Sequence, residues 1–417
     1  MPSPLILTEP EQSMLAGEQG AAIKMAMTLL VSYAGIVGAR RLLDIEQAHI
    51  DGCLYHGQAS LDFVDRLVSQ QGKVAVPTTL NVGSVDLVHP GLVRVQRRDD
   101  PRRLLMERHE QLGCKPSFSC APYQHAMRPS FCQQIAWGES NAVVFANSVI
   151  GARTNRYGDF IDLCCAITGK APAYGLHLDE HRRGQHLFQL DADCLAIDGD
   201  KLFVGVGALI GALAGIAIPV IEGLPPGSED QLKALGAVAA STGSVGLFHV
   251  CGQTPEAPDL RTAFGGQTPA RVNKLTALDI QQALQRLSTV NDKHPIQAIS
   301  LGTPHYSLAQ LRELARLSVG WTAAPGVQVY CNASREIWAQ AMNEPTGAAI
   351  RDSGIQPVLD TCVYVTTILD AQVKTLMTDS GKLAHYAPGN LGVQVAFGSL
   401  QDCLASAQVG HVVRVDT

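Results

Sequence analysis

The chain has 417 residues, of which 46% are hydrophobic, 17% charged and 5% aromatic. This composition supports a large apolar core and favours α/β packing over an aromatic-rich β-sandwich. The formal net charge of -6 argues against a nucleic acid or an anionic membrane as the partner.

The N-terminus and the cysteines indicate the cellular compartment of the protein. The first residues, MPSPLILTEPEQ, lack the basic region and apolar run of a signal peptide, so we expect a cytoplasmic protein. The 11 cysteines are irregularly spaced and none belongs to a CxxC pair, which argues against a zinc ribbon or a thioredoxin-like site. We expect reduced thiols, most of them small core residues.

The predicted elements begin with two helices. Thr8 to Glu11 form a T-x-x-E capping box before the first, and the second is expected from about Glu18 to Val37. Strand-like pieces follow at LLDI (42–45) and VAVPT (74–78). The later apolar stretch FVGVGALIGALAGIAIPV (203–220) is interrupted by five glycines or prolines. We therefore predict a strand, a glycine-rich turn and a buried helix there, and no membrane span.

A Pro- and Gly-rich segment, QTPEAPDLRTAFGGQTPA (near 253–275), indicates a boundary. It predicts an N-terminal α/β region, 1–255, and a C-terminal α/β region, 256–417. From residue 244 onward predicted strands alternate with helices, one of which opens at Ser307 with an S-x-x-Q capping box. The expected strands are SVGLFHV (244–250), IQAISL (296–301), VQVYC (327–331), VKTLM (373–377) and VQVAF (393–397). This alternation predicts mostly parallel sheets, with ligands at the carboxyl ends of the strands.

Residues 137–156, WGESNAVVFANSVIGARTNR, surround an apolar segment with amides, hydroxyls and arginines. A helix is predicted over 139–151, with Ser140 or Asn141 as its N-cap and Gly151 at its end. The arginines that follow, Arg153 and Arg156, are suited to binding a carboxylate through paired hydrogen bonds. We interpret the segment as part of a site for a small anion, with a hydrogen-bonded structural network as the alternative.

Shorter motifs carry reactive groups at or near strand ends. His305 of GTPH (302–305) could polarise a substrate oxygen or simply cap a loop. Ser380 and Lys382 of TDSGK (378–382) could hold a carboxylate, or Ser380 could move a proton, but Asp-Ser-Gly is also common turn chemistry. Cys120 in SCAPY and Cys362 in DTCVYV form no metal motif on their own, and a buried structural cysteine is the simpler interpretation of each.

Longer motifs connect these loops to a known family. They run almost from end to end of the chain: LTEPEQSMLAGEQG (7–20), AHIDGCLYHG (48–57), SCAPY (119–123), AWGESNAVVFANSVIGARTNRYGD (136–159), AITGKAPAYGLHLDEHRRG (166–184), FHVCGQTPEA (248–257), GTPHYS (302–307), LDTCVYV (359–365) and SGKLAHYAPG (380–389). On these motifs the chain resembles the large component of the aconitase X family, a branch of the aconitase superfamily.

The resemblance implies a hydro-lyase with an iron–sulfur cluster and an aconitase-like core of stacked α/β/α units with mostly parallel sheets. Members look like dehydratases of either cis-3-hydroxy-L-proline or mevalonate 5-phosphate. The forms AHIDGCLYHG and GTPH look closer to the hydroxyproline type, which would degrade a small hydroxy amino acid. A cluster-free, non-catalytic assembly subunit is a further alternative. The small swivelling domain of the family is not found in the 417 residues, so a separate aconitase X small subunit is expected as partner.

The family pattern also implies the metal ligands. Cys120 and Cys362 match two ligand positions, whereas Thr303 stands where many relatives have a third cysteine. A [2Fe–2S] cluster is therefore favoured over a cubane-type cluster, with Cys53 of HIDGCLYHG as the candidate third ligand.

For the reaction, the resemblance suggests a serine base, Ser380. Lys382 and Arg153 would pair with the substrate carboxylate, and either His305 or His56 would protonate the leaving hydroxyl. The remaining substrate-binding candidates are Glu139, Asn141, Asn147 and Thr303.

Overall fold

The computed structural model describes residues 5–93, 100–345 and 347–415. Its contacts divide the chain into two compact units: unit 1 comprises Met1–Val85 and Gln96–Arg183, and unit 2 comprises Asp86–Val95 and Gly184–Thr417. Each unit is described by itself below. The sequence-based division between 255 and 256 stays a prediction.

Unit 1 is mainly helical with two small sheets. Strands β3-β2-β4 form a parallel sheet, and β1 pairs with β5 in an antiparallel arrangement. The elements are α1 (Glu9–Ala16), α2 (Ala21–Ile36), β1 (Leu42–Asp44), β2 (Ala48–Ile50), α3 (Gln58–Ser69), β3 (Thr78–Leu80), α4 (Pro101–Gln111), β4 (Ala136–Trp137), α5 (Ser140–Phe145), α6 (Ile161–Thr168) and β5 (Lys170–Pro172).

Local signals account for the first elements. Glu11 accepts a hydrogen bond from the backbone N–H of Thr8 at 2.8 Å, which confirms the predicted capping box of α1. The second helix and the strand at 42–45 are also confirmed. The strand predicted at 74–78 is wrong in position, because the backbone N–H of Val74 bonds to Leu112 and only Thr78 onward joins the sheet.

Unit 2 contains two parallel sheets, in the orders β8-β7-β6-β9 and β12-β11-β10-β13-β14. The prediction of an α/β fold with mostly parallel sheets is confirmed. The elements are β6 (His186–Leu190), α7 (Gly199–Ala214), β7 (Pro219–Glu222), α8 (Glu229–Thr242), β8 (His249–Val250), α9 (Leu260–Ala263), β9 (Arg271–Leu275), α10 (Ala277–Arg286), β10 (Ala298–Tyr306), α11 (Leu308–Leu317), β11 (Gln328–Ala333), α12 (Arg335–Asn343), α13 (Gly347–Asp352), β12 (Gln356–Val358), β13 (Thr375–Thr378), α14 (Gly381–Leu391), β14 (Gln394–Phe397) and α15 (Leu400–Val409).

Strand β10 is the centre of the larger sheet. All nine of its residues are buried, as expected for a parallel strand covered by helices on both faces. The helix that follows begins with the predicted capping box, in which Ser307 accepts from Gln310 N–H and the Gln310 side chain accepts from Ser307 N–H. Reciprocal bonds of this kind satisfy backbone donors that the first helical turn leaves unpaired.

The apolar stretch 203–220 has the opposite order from the one predicted. It forms most of helix α7 and then enters strand β7, and its glycines are packing positions and not a turn. A Cβ at Gly207 would lie 2.5 Å from the carbonyl oxygen of Leu235, and one at Gly211 would lie 2.8 Å from that of Ala239. These glycines let α7 approach α8 closely. Within the described ranges, no helix has the length and apolarity to cross a membrane.

The GTPH motif lies inside β10 and is not a turn after it. The register against β11 shifts between Leu301 and Tyr306, so the strand bulges at the motif. Gly302 has φ +79°, and a Cβ there would lie 2.3 Å from the carbonyl oxygen of Asn332. Only glycine fits this combination of conformation and close approach.

Candidate functional site

In unit 2, the bulge of β10 brings the GTPH and DTC motifs into contact. Thr303 Oγ1 lies 3.8 Å from Cys362 Sγ, and His305 Nε2 lies 3.4 Å from the carbonyl oxygen of Thr361. The side chains of Thr303, His305 and Cys362 are all buried. The structure thus places Thr303, His305 and Cys362 together.

The TDSGK motif joins the same group of residues. Ser380 is the N-cap of α14, since its Oγ accepts a hydrogen bond from Leu383 N–H at 3.0 Å and donates to the carbonyl oxygen of Thr303. The motif is therefore a helix start and not an isolated turn. Lys382 is buried in the first turn, and it lines with Ser380 and Thr303 a small cavity of about 40 Å³. A helix N-terminus and a buried ammonium group together make this a favourable place for negative charge.

Sequence reasoning missed the charged residues that support this group. Lys233 of α8 is buried, and its Nζ donates to Asp230 at 2.8 Å, to the carbonyl oxygen of His305 at 3.2 Å and to Gln310 at 2.6 Å. These bonds fix the backbone next to His305. No local motif signals this role, because Lys233 and His305 are 72 residues apart.

In unit 1, the predicted motif forms a helix that differs from expectation at its start. Helix α5 continues as a π-helical segment, Ala146–Ile150, and ends at Gly151 in the left-handed conformation, as predicted. Its N-cap is Glu139 and not Ser140 or Asn141, because the Glu139 carboxylate reaches Ala142 N–H at 2.6 Å. An acidic group at this end also interacts favourably with the helix dipole.

Asn141 lies directly beside Cys120. The Asn141 Nδ2 donates to the carbonyl oxygen of Cys120 and to the hydroxyl of Tyr123, each at 3.0 Å, and the side chain is buried. Among the described residues, Asn141 Oδ1 has no hydrogen-bond partner. The amide therefore fixes the backbone at Cys120 and leaves one acceptor available.

Asn147 connects the helix to the loop that follows it. Its side chain bonds to both the N–H and the carbonyl oxygen of Thr154, and its oxygen also accepts from the buried Arg182 at 3.1 Å. Arg182 also donates to the carbonyl oxygens of Asn147 and Leu176. This arrangement resembles the structural network that was the alternative interpretation of the motif. Sequence reasoning missed Arg182, which lies 35 residues from Asn147.

Asn147→Ala is expected to lower the free energy of unfolding by about 2–3 kcal/mol, because it leaves the Thr154 backbone groups and the buried guanidinium short of partners. Urea denaturation at neutral pH measures the change. Gln58→Ala is the matched control, since Gln58 is an exposed amide bonded only to Asp62 in the described contacts. Equal effects of the two substitutions would contradict a structural role for Asn147.

Arg153 is engaged with its own unit. Its guanidinium pairs with Asp179 and donates to Cys132 Sγ at 3.5 Å. The Asp179 partner is mostly exposed, so the ion pair is worth little and can exchange for another carboxylate. Whether Arg153 meets a substrate stays a prediction.

His56 and Cys53, from the same motif, lie in different environments. The His56 side chain is 62% exposed and lies 3.9 Å from Asp159. Cys53 is buried, and its Sγ donates to the carbonyl oxygen of Asn81 at 3.0 Å. Burial, followed by the nearby Asp51 and Asp162 carboxylates, raises the pKa of the Cys53 thiol well above its usual range. Without a bound cation, Cys53 is therefore a neutral thiol.

The predicted ligands fit an iron–sulfur cluster to different degrees. Cys120 is 3% exposed and Cys362 is 1% exposed, which gives the protection from solvent that cluster ligands need. The surroundings of Cys53 oppose ionisation, so a metal would have to supply the stabilisation of its thiolate. In the described ranges, no group of three or more His, Cys, Asp or Glu side chains is arranged to hold a metal ion. No disulfide joins the described cysteines.

Comparison with known proteins places the chain among dehydratases. Residues 4–180, 184–285 and 296–409 match the Aconitase X first, second and third domains, respectively. Cis-3-hydroxy-L-proline dehydratase of Pseudomonas aeruginosa is 41% identical over 415 residues, covering 96% of this chain and 70% of that protein. The protein of the same name from Hypocrea jecorina is 37% identical over 420 residues, covering 97% of this chain and 69% of the relative.

Archaeal relatives are similar over their whole length. The phosphomevalonate dehydratase large subunit of Methanocaldococcus jannaschii is 32% identical over 409 residues, covering 96% of this chain and 99% of that subunit. The crystal structure of Thermococcus kodakaraensis aconitase X in its holo-form has a TM-score of 0.86 and 31% identity, covering 97% of this chain and 100% of the other. These matches confirm the predicted fold, and the dehydratase relatives confirm the prediction of a hydro-lyase. The chain therefore belongs to the aconitase X family.

Proposed function

We propose that the chain is the catalytic large component of a dehydratase that converts cis-3-hydroxy-L-proline to 1-pyrroline-2-carboxylate. The observation that carries the proposal is the group around Ser380, a helix N-cap that shares a small buried cavity with Lys382 and Thr303. The identities of 41% and 37% to proteins named cis-3-hydroxy-L-proline dehydratase favour this substrate.

The reaction requires removal of the weakly acidic C2 proton and departure of the C3 hydroxyl. Ser380 is the proposed base. The N-terminus of α14 and the ammonium group of Lys382 would stabilise its ionised form. A serine hydroxyl needs such stabilisation to act as a base. Loss of water leaves the C2–C3 enamine, and transfer of the ring N–H proton to C3 then gives 1-pyrroline-2-carboxylate.

Other residues would hold the substrate. Lys382 and Arg153 are proposed to pair with its carboxylate as negative charge develops at C2. Either His305 or His56 would protonate the departing hydroxyl. His305 is buried beside Thr303, whereas His56 is largely exposed. The proposed ring-binding residues are Glu139, Asn141, Asn147 and Thr303.

Cys120 and Cys362 are the residues proposed to hold the iron–sulfur cluster, with Cys53 as third ligand and [2Fe–2S] favoured over a cubane type. When bound, such a cluster supplies a Lewis acid that assists departure of the hydroxyl, which is a poor leaving group. The side chain next to Cys362 Sγ at position 303 is a threonine hydroxyl, which does not supply a thiolate ligand. The smaller cluster is favoured for this reason.

The partner is proposed to be an aconitase X small subunit, and the enzyme is proposed to act in the cytoplasm. The chain matches 99% of a protein named as a large subunit but 70% of the Pseudomonas aeruginosa relative. The name of that large subunit implies a small subunit, which favours such a partner here.

The test is a substrate comparison with the reconstituted enzyme. The chain is co-purified anaerobically with its small subunit and assayed with cis-3-hydroxy-L-proline, trans-3-hydroxy-L-proline and mevalonate 5-phosphate. We expect kcat/KM for the cis hydroxyproline to exceed the other two by about 10²-fold or more. Preference for mevalonate 5-phosphate would favour the second candidate, which the 32% identical archaeal large subunit supports. No turnover and no iron would indicate an assembly subunit.

A further inference from the structure

Two cavities of unit 2 share four lining residues, Ala234, Tyr306, Gln310 and Asp379. The inner cavity, about 40 Å³, is lined by Thr303, Ser380 and Lys382. The outer cavity, about 400 Å³, lies on the other side and is bordered by exposed groups such as Glu313. Tyr306 and Asp379 are two of these shared residues, so they form part of the wall between the predicted base and the outer cavity.

The wall contains an unusual carboxylate. The Tyr306 hydroxyl donates to Asp379 Oδ2, whereas the buried Oδ1 has no hydrogen-bond partner among the described residues. An unpartnered buried polar atom destabilises the fold unless water or a proton satisfies it. Asp379 is also the residue before Ser380, so the backbone holds the carboxylate next to the proposed base.

We propose that Asp379, positioned by Tyr306, relays the proton taken from the substrate out of the inner cavity to water in the outer cavity. The inference rests on the proposed function, because it assumes that Ser380 accepts a proton in each turnover. Ser380 Oγ–H gives its proton to a water molecule in the inner cavity as that water gives one to the Asp379 carboxylate. The carboxylate then releases its proton to water in the outer cavity, and Ser380 is again ionised. No redox change or additional reactant is needed.

Such a route would serve the base, which stands in a small inner cavity lined largely by buried residues. Ser380 and Lys382 are both buried, and the base must lose its proton before the next turnover. A polar cavity must exceed about 10–15 Å³ to hold a water molecule, and the inner cavity meets this requirement. A carboxylate with a vacant acceptor oxygen at its wall is suited to take the proton from that water.

The electrostatics agree with the geometry. Burial raises the pKa of Asp379 to about 6, while the Tyr306 hydroxyl and the Gly302 N–H lower it. A pKa near the working pH suits a group that both takes and releases protons. The titratable groups on the surrounding elements are Asp200 and Lys201 of α7, Asp230 and Lys233 of α8, Glu313 of α11, Cys331 of β11, Lys382 of α14 and Cys403 of α15.

Asp379→Asn and Tyr306→Phe test the relay in the enzyme reconstituted with its small subunit. In the unsubstituted enzyme we expect kcat to rise as the pH passes through 6, because Asp379 then ionises. For Asp379→Asn we expect kcat to fall about tenfold or more with a smaller change in KM, and this rise to disappear. Small imidazole buffers that reach the outer cavity should restore turnover to this variant in proportion to their concentration. Loss of folding alone would not be rescued by a proton acceptor.

Glu313→Gln is the matched control. Glu313 also lines the outer cavity, but its side chain is 42% exposed and pairs with Arg316. This variant should retain the kcat, pH profile and buffer independence of the unsubstituted enzyme. An Asp379→Asn enzyme with unchanged kcat and pH profile, or without buffer rescue, would overturn the relay.

A second measurement separates failure of the relay from failure of the proposed function. Difference infrared spectra against Asp379→Asn follow the protonated carboxyl of Asp379 without substrate. We expect it to titrate near pH 6, and Tyr306→Phe should raise this pKa because it removes a hydrogen bond to the ionised form. Absence of that titration would overturn the relay, whereas its presence in an enzyme inactive on hydroxyproline would overturn only the proposed function.

Discussion

Cys362→Ser is expected to lose the bound iron and dehydratase turnover together. Cys362 is buried next to Thr303, and its sulfur is one of the three thiols proposed to hold the cluster. Iron in such clusters is bound by thiolates, whereas a serine hydroxyl does not ionise near neutral pH. Iron and sulfide analysis of anaerobically purified protein measures the loss independently of activity, and we expect iron per chain to fall close to zero.

Cys331→Ser is the control for this substitution. Cys331 lies on β11 in the same unit and is also buried, but it belongs to the hydrophobic core and not to the proposed ligands. It should lower stability and retain iron. If both variants lost iron equally, the loss would reflect a damaged core. If Cys362→Ser kept its iron, Cys362 would be removed from the proposed ligands.

The parts of the fold that could be predicted depend on neighbouring residues. The capping boxes at Thr8 and Ser307 are formed by residues three positions apart, so the sequence contains the whole interaction. The same applies to the alternation of apolar strands and amphipathic helices in unit 2, which predicts parallel sheets. In these parts of the fold, element type therefore follows from local pattern.

Errors arose where a residue serves a distant partner. A glycine-rich turn is predicted within 203–220, but the role of Gly207 and Gly211 depends on the backbone of α8, which the sequence does not place beside them. Gly302 is needed because Asn332 approaches it from the neighbouring strand. The π-helical continuation of α5 likewise has no distinct local pattern.

The candidate site shows the same limit. The motifs around Thr303, Cys362 and Ser380 were identified from the sequence, and unit 2 brings them together at the bulge of β10. The residues that hold them in place, such as Lys233, were missed because their partners are far along the chain. Long-range hydrogen bonds to backbone carbonyls leave no pattern in a single sequence.

Arg335→Met is expected to lower the free energy of unfolding by about 2–3 kcal/mol at neutral pH. Arg335 binds the fully buried Asp360 through two hydrogen bonds of 2.5 and 2.6 Å, and Asp360 also accepts from Leu87 N–H. Removing the guanidinium leaves a carboxylate buried without its cation. The expected loss is below the 3–5 kcal/mol of a fully buried pair, because the Arg335 side chain is 34% exposed.

The loss should depend on pH in a defined direction. Burial raises the pKa of Asp360, and Arg335 opposes that rise, so the substitution should raise the pKa further. A carboxyl with a raised folded-state pKa destabilises the protein increasingly as pH rises from the unfolded value, about 3.9, through the folded value. Urea denaturation should therefore show a small difference between variant and parent near pH 4 and the full difference at pH 7–8.

Asp360→Asn, alone and combined with Arg335→Met, completes the test as a double-mutant cycle. If the penalty comes from the unpaired carboxylate, the double variant should be more stable than Arg335→Met alone. The difference in free energy of unfolding between the double variant and Asp360→Asn should depend little on pH between 5 and 8. A pH-independent loss in Arg335→Met would instead assign the effect to lost packing of the arginine side chain. Because Asp360 lies two residues before Cys362, the same ion pair anchors the segment that carries the proposed cluster ligand. Iron retention should therefore be weaker in Arg335→Met than in the double variant.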